Sequence, residues 1–150
     1  MLDTQELGNF VKNFKSPSPF GCNCVFIKFD DKWGIKTYYY AKERDIAVER
    51  QACMAKLGFA PNVGTSFNVG EDKFCYMTQL AIPVVDCTER NNERWSIACQ
   101  EAEAEYPKIR DDIKKLCNEM HNAGYDRAFW DTHLGNYGFI ERKLVCIDFL

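Results

Sequence analysis

The chain has 150 residues, of which 46% are hydrophobic and 14% aromatic, so its composition is that of a globular protein with one well-filled domain. Its 19 basic and 22 acidic residues give a net charge of −3, which argues against a general nucleic-acid binder because such proteins usually carry a basic excess. No apolar run approaches the roughly 20 residues that span a bilayer, and the acidic start "MLDTQELGNF" does not resemble a secretory signal, so we expect a cytoplasmic protein without membrane contact.

The N-terminal part of the chain predicts a helix followed by a hairpin. Residues 4–14 carry apolar side chains at helical spacing behind Asp3, which can cap the helix, although a short strand at 10–14 is an alternative. The segments "CVFIKF" (24–29) and "WGIKTYYY" (33–40) are rich in β-branched and aromatic residues. Because they flank the turn-forming "DDK", they predict a β-hairpin.

A helix and a second hairpin are predicted in the middle of the chain. Residues 43–57 have a helical composition, and Gly58 with Pro61 provides an end signal. The segments 65–69 and 73–79 flank "GED" and predict another pair of antiparallel strands.

Two helices are predicted between residues 91 and 122, because Pro107 suits a first helical turn but not a helix interior. Gly124 provides the end signal of the second helix. After Pro107, apolar residues recur at helical spacing and form one stripe. The stripe consists of Ile109, Ile113, Leu116, Cys117 and Met120.

A third hairpin is predicted at the end of the chain, where segments 137–140 and 144–148 flank "ERK". The order of elements is therefore strands with one helix, then long helices, then a small hairpin. This order is typical of an α+β fold with an antiparallel sheet in its N-terminal part.

Eight cysteines are unusual for a chain of this length, and none of them forms a C-x-x-C pair. Most lie in apolar contexts such as "KFCYM" and "LVCIDF". We expect reduced, buried thiols that behave as small hydrophobic residues. A zinc site is the alternative, but it would favour paired ligands at tighter spacing.

The C-terminal segment carries a family resemblance. "MHNAGYDRAFWDTHLGN" followed by "YGFIERKLVCIDF" resembles the catalytic segment of the protein-kinase-like superfamily, nearest to the aminoglycoside and choline phosphotransferases. That segment has a helix end LH-x-x-G, a D-x-H-x-x-N loop and a hairpin that ends in Asp-Phe. The resemblance implies that Asp131 accepts the proton of the acceptor hydroxyl or orients it, and that Asn136 and Asp148 hold Mg²⁺. His133 would act in catalysis or orient the loop.

Upstream segments extend this resemblance in the family's order. "WGIK" resembles the V-A-I-K strand, which implies that Lys36 contacts the α- and β-phosphates of ATP. On the following helix, Glu49 would turn its carboxylate inward as the partner of Lys36, with Glu43 as a less favoured candidate. "SPSPFG" stands where the family has its glycine-rich loop and retains Gly21 as the phosphate-contacting glycine. "YMTQLA" would be the strand that meets adenine.

The resemblance implies one kinase-like domain, with a sheet lobe at residues 1–80 and a shortened helical lobe carrying a hairpin at 81–150. The implied function is transfer of the γ-phosphoryl group of ATP to a hydroxyl with Mg²⁺. An alternative is a catalytically silent module that binds nucleotide, or that docks on a second copy or another protein through an exposed apolar surface of the 109–120 helix. A second alternative is an unrelated α+β domain in which the motif arises by coincidence.

Overall fold

The computed structural model describes residues 3–13, 24–85, 93–126, 128 and 132–149, which form helices and antiparallel strands. These residues divide into two compact units. The first unit takes in the described residues up to 52, residues 62–80 and Phe149, and the second takes in 53–61 and 81–148. The α+β class predicted from the sequence is confirmed.

The predicted helices and hairpins all appear, with ends that differ by a few residues. The helices are α1 (Thr4–Asn13), α2 (Ala41–Lys56), α3 (Glu93–Glu105) and α4 (Ile109–Asn122). The strands are β1 (Cys24–Lys28), β2 (Trp33–Tyr38), β3 (Val63–Val69), β4 (Lys73–Gln79), β5 (Ile82–Pro83), β6 (Tyr137–Ile140) and β7 (Lys143–Cys146). The short β5 was not predicted. No described helix combines the length and the apolar composition that a bilayer crossing needs.

The first unit is built on a four-stranded antiparallel sheet in the order β1-β2-β4-β3. Side chains alternate between the two faces of a strand, so each face has its own core. One face packs against α1, whose Leu7 and Val11 join a buried cluster with Ile35 and Met77. The opposite face forms a second cluster that includes Ala47 of α2.

The start of α2 is tied to the β3–β4 hairpin by a buried arginine. The guanidinium of Arg44 donates hydrogen bonds to the carbonyl oxygens of Phe67 (3.3 Å) and Cys75 (3.1 Å) and to the side-chain oxygen of Asn68 (3.1 Å). These charge-assisted bonds fix the helix on the sheet, which in turn fixes which α2 side chains face the strands.

The second unit packs α4 against a three-stranded sheet in the order β5-β6-β7. All five residues of the α4 stripe are buried, and the thiol of Cys117 lies 3.2 Å from the hydroxyl of Tyr137 on β6. The prediction that this stripe leaves an exposed apolar surface for a protein partner or a second copy is therefore wrong. The small sheet covers part of the stripe, because α4 packs against β7 and Cys117 meets Tyr137 of β6.

The thiols only partly match the expectation of burial. Cys75, Cys117 and Cys146 are buried, whereas Cys53 is exposed and Cys99 is partly exposed. All five are free thiols. Burial raises the pKa of the Cys75 thiol above its ordinary value, although a hydrogen bond with Thr37 at 3.4 Å offsets part of this effect.

We expect Cys75 to resist a thiol reagent in the folded protein, because only the thiolate reacts and both burial and the raised pKa disfavour it. At pH 8, Cys53 should be labelled about a hundredfold faster than Cys75, whose labelling must await opening of the sheet. Mass spectrometry of peptides from timed samples measures both rates. Equal rates in the folded protein, or slow labelling of both after addition of urea, would contradict the expectation.

Candidate functional site

Lys36 is buried on β2, with only 7% of its surface exposed. It lies opposite Tyr76 of β4, so both side chains point to the face of the sheet that α2 covers. Its Nζ atom donates a hydrogen bond to Oε1 of Gln51 on α2 at 3.2 Å and lies 5.7 Å from the centre of the Tyr76 ring. The burial rules out an ordinary solvent-facing lysine at this position.

Glu49 does not face the sheet. Its side chain is exposed, so the expectation that its carboxylate turns inward to Lys36 is wrong. The buried line along this part of α2 runs instead through Arg44, Ala47 and Gln51, and residue 49 lies about half a turn around the helix from that line. The helix therefore presents an amide rather than a carboxylate to Lys36.

Gln51 is fully buried and joins several polar side chains on the same face. Its Oε1 accepts a hydrogen bond from the Tyr76 hydroxyl at 2.7 Å, in addition to the bond from Lys36. Its Nε2 donates to Oγ1 of Thr78 at 2.7 Å. Thr78 also donates to the carbonyl oxygen of Gln79 at 3.3 Å. A buried polar network of this kind holds its members in one geometry when its hydrogen bonds are made.

In the second unit, the loop before β6 is shaped by His133. Its Nδ1 accepts a hydrogen bond from the backbone N–H of Gly135 at 3.1 Å and so caps the short 3₁₀ turn Leu134–Asn136. Nδ1 therefore carries no proton, and a neutral ring has its proton on Nε2. A methyl group on Gly135 would lie 2.8 Å from the Trp95 ring, which explains the glycine.

Asn136 and Asp148 lie at the open end of the β6–β7 hairpin. The carbonyl oxygen of Asn136 accepts a hydrogen bond from the N–H of Ile147 at 2.8 Å, next to the pair formed by Tyr137 and Cys146. Asn136 is 4% exposed, whereas Asp148 is exposed to solvent. The hairpin thus joins the backbone of Asn136 to the residue that precedes Asp148.

The other predicted site residues, Gly21 and Asp131, lie outside the described residues. Lys36 belongs to the first unit, whereas His133, Asn136 and Asp148 belong to the second. Within the described ranges, no group of three or more His, Cys, Asp or Glu side chains is placed to hold a metal ion. Amide and carboxylate oxygens, the donor types that Asn136 and Asp148 carry, are hard ligands of the kind that Mg²⁺ uses with water and phosphate oxygens.

The sequence interpretation missed Gln51 and its partners Tyr76 and Thr78. The available signal was the spacing of Arg44, Ala47 and Gln51, which places two polar residues on the buried face of α2. The prediction of Glu49 depended instead on an acidic residue next to apolar positions of the helix, and these do not mark the buried face.

Comparison with models of known protein families finds no match for this chain, and a search of curated proteins likewise finds none. The resemblance to the kinase-like superfamily therefore rests on the residues and the order of elements described above.

Proposed function

We propose that the protein is a minimal kinase-like phosphotransferase that moves the γ-phosphoryl group of ATP to a hydroxyl with Mg²⁺. The observation that carries the proposal is the burial of Lys36 on β2 against α2. Burying an ammonium group costs free energy, so a lysine at such a position calls for a role that an apolar residue could not fill. Binding the α- and β-phosphates of a nucleotide is such a role.

A kinase-like arrangement is also supported by the order of elements around the site residues. An antiparallel sheet carries Lys36 on β2, the next element is the helix α2 packed on the same face, and the chain reaches Asp148 through a hairpin. This order follows the family pattern that "WGIK" and "DTHLGN" resemble.

The proposal gives each candidate residue one task. Lys36 binds phosphate oxygens, and the backbone around Gly21 can donate further hydrogen bonds to them. Asp131 accepts or orients the acceptor hydroxyl, while the cap made by His133 fixes the loop that follows. Asn136 and Asp148 hold Mg²⁺, which neutralises charge on the transferring phosphoryl group.

A silent nucleotide-binding module is the second candidate. One observation favours it: α2 offers Lys36 the neutral amide of Gln51, whereas the resemblance implied the carboxylate of Glu49. An uncharged acceptor positions the lysine but adds no ion pair, and that arrangement suits binding at least as well as turnover. The apolar stripe of α4 is buried and therefore offers no docking surface.

Calorimetry with ATP and Mg²⁺ tests the proposal. We expect Lys36→Met, which keeps the apolar length of the side chain, to weaken nucleotide binding at least about tenfold. Lys28→Met is the matched control, because Lys28 lies on the same sheet face but is exposed, and its replacement should change the dissociation constant less than about twofold. Thermal melts establish that each variant is folded.

Release of inorganic phosphate from ATP, with water as the acceptor, separates the two candidates. Release that depends on Mg²⁺ and on Lys36 supports phosphotransfer, whereas binding without release supports the silent module. Absence of binding heat in the wild type, or equal affinity in the wild type and Lys36→Met, would overturn both.

A further inference from the structure

The orientation of the Gln51 amide follows from the number of protons that each of its partners can donate. The Thr78 hydroxyl has one proton, and it donates that proton to the carbonyl oxygen of Gln79. Towards Gln51 the same hydroxyl can therefore only accept, so the amide nitrogen of Gln51 must face Thr78. The amide oxygen must then point the other way, towards Lys36 and Tyr76.

Tyr76 alone would not fix this direction, because a phenol can either donate or accept a hydrogen bond. With the amide reversed, the Tyr76 hydroxyl could accept from Nε2, but Lys36 would then face a donor. An ammonium group has three donors and no acceptor, so the reversed amide would repel it. Thr78 thus favours the same amide orientation that Lys36 requires, because it accepts from the nitrogen while Lys36 donates to the oxygen.

We propose that Gln51 is a positioning residue that holds the Lys36 ammonium in place, and that Thr78 keeps the Gln51 amide in the orientation this requires. This role rests on the proposed function. There, Gln51 and Thr78 hold Lys36 in the position from which it binds the phosphate groups of a nucleotide. The helix contributes an acceptor without a negative charge, so it orders the lysine without neutralising it. A role in packing alone would not depend on the Thr78 hydroxyl, which makes no contact of its own with Lys36 among the hydrogen bonds described above.

The proposal is tested through the chemical reactivity of the Lys36 amine, which requires no nucleotide. Trace acetylation with acetic anhydride modifies only the neutral amine, and mass spectrometry gives its rate for each lysine. The rate at Lys36 is measured between pH 7 and pH 10 relative to the exposed Lys28 and Lys42 of the same protein. Because an acceptor stabilises the ammonium form, any change that removes or reverses the acceptor raises this rate.

Thr78→Val removes the hydroxyl while retaining the shape of the side chain. We expect the relative acetylation rate of Lys36 to rise about threefold or more, since Nε2 of Gln51 then loses its acceptor and the amide holds its oxygen less firmly against Nζ. Thr78→Ser, which keeps the hydroxyl, should restore the wild-type rate. Gln51→Glu should lower the rate about tenfold, because a carboxylate favours the ammonium form more strongly than an amide does.

Wild-type rates in both Thr78→Val and Gln51→Glu would overturn the proposal, and so would a raised rate in Thr78→Ser equal to that in Thr78→Val. If melting curves show that Thr78→Val does not fold, Gln51→Glu decides the test by itself.

Addition of ATP and Mg²⁺ to the wild type separates this proposal from the function on which it rests. A change in Thr78→Val without protection by nucleotide supports the positioning role and rejects nucleotide binding, whereas protection without any effect of the variants rejects the positioning role.

Discussion

Replacement of Asp148 with asparagine is expected to reduce Mg²⁺-dependent phosphate release from ATP by about a hundredfold or more. The carboxylate is one of two oxygen donors that the proposed function assigns to the metal, and a neutral amide binds a divalent cation more weakly. Raising the Mg²⁺ concentration should recover part of the lost rate, because the variant weakens metal binding and leaves the rest of the site intact. Initial rates over a range of Mg²⁺ concentrations measure this.

The stability of the Asp148→Asn variant should remain close to that of the wild type. The side chain is exposed, and substitutions at such positions usually change the free energy of unfolding by less than about 0.5 kcal/mol. Asp126→Asn is the matched control, since Asp126 is also an exposed aspartate of the second unit and has no assigned role. Equal phosphate release in the two variants would show that Asp148 does not bind the metal.

The fold was largely predictable because its elements are defined by local patterns. Pro107 separates α3 from α4, as its restricted backbone requires, and the apolar period after it matches the buried stripe of α4. The strands of each predicted hairpin are close in sequence, so a turn between two β-rich segments sufficed to pair them. Pairings inside hairpins therefore needed no knowledge of the rest of the chain.

Elements that depend on distant partners were not predicted. The strand β5 consists of Ile82 and Pro83, both exposed, and exists only because it pairs with residues 138 and 139 of β6. Two residues, one of them a proline, carry no periodic signal. The pairing of β2 with β4, across α2 and β3, is likewise a long-range choice that the hairpin patterns leave open.

In the candidate site too, contacts within one hairpin were predictable, whereas contacts between distant elements were not. The sequence placed Asn136 and Asp148 at the two ends of a hairpin, and the hydrogen bond from Ile147 to Asn136 follows from that local pairing. The partner of Lys36 depends instead on which face of α2 packs on the sheet. On that face Arg44 and Gln51 are polar although buried, whereas the apolar Cys53 is exposed, so an apolar period could not identify the face.

Because the α4 stripe is buried, we expect its residues to stabilise the fold instead of forming an exposed docking surface. Ile113→Ala should lower the free energy of unfolding by about 3 kcal/mol, since Ile113 is 3% exposed and truncation would leave a cavity. Urea denaturation followed by circular dichroism measures this change. Lys114→Ala, at the adjacent exposed position, should alter the same quantity by less than about 0.5 kcal/mol.

The same variant distinguishes a core position from an interface position. If the stripe were a contact between copies of the chain, Ile113→Ala would change the oligomeric state seen by light scattering and leave the unfolding of the monomer nearly unaffected. Because Cys117 and Tyr137 join α4 to the hairpin that ends next to Asp148, loosening this core should also lower phosphate release at temperatures where the variant is still folded. A destabilised variant with undiminished release would show that the hairpin keeps its geometry without the support of α4.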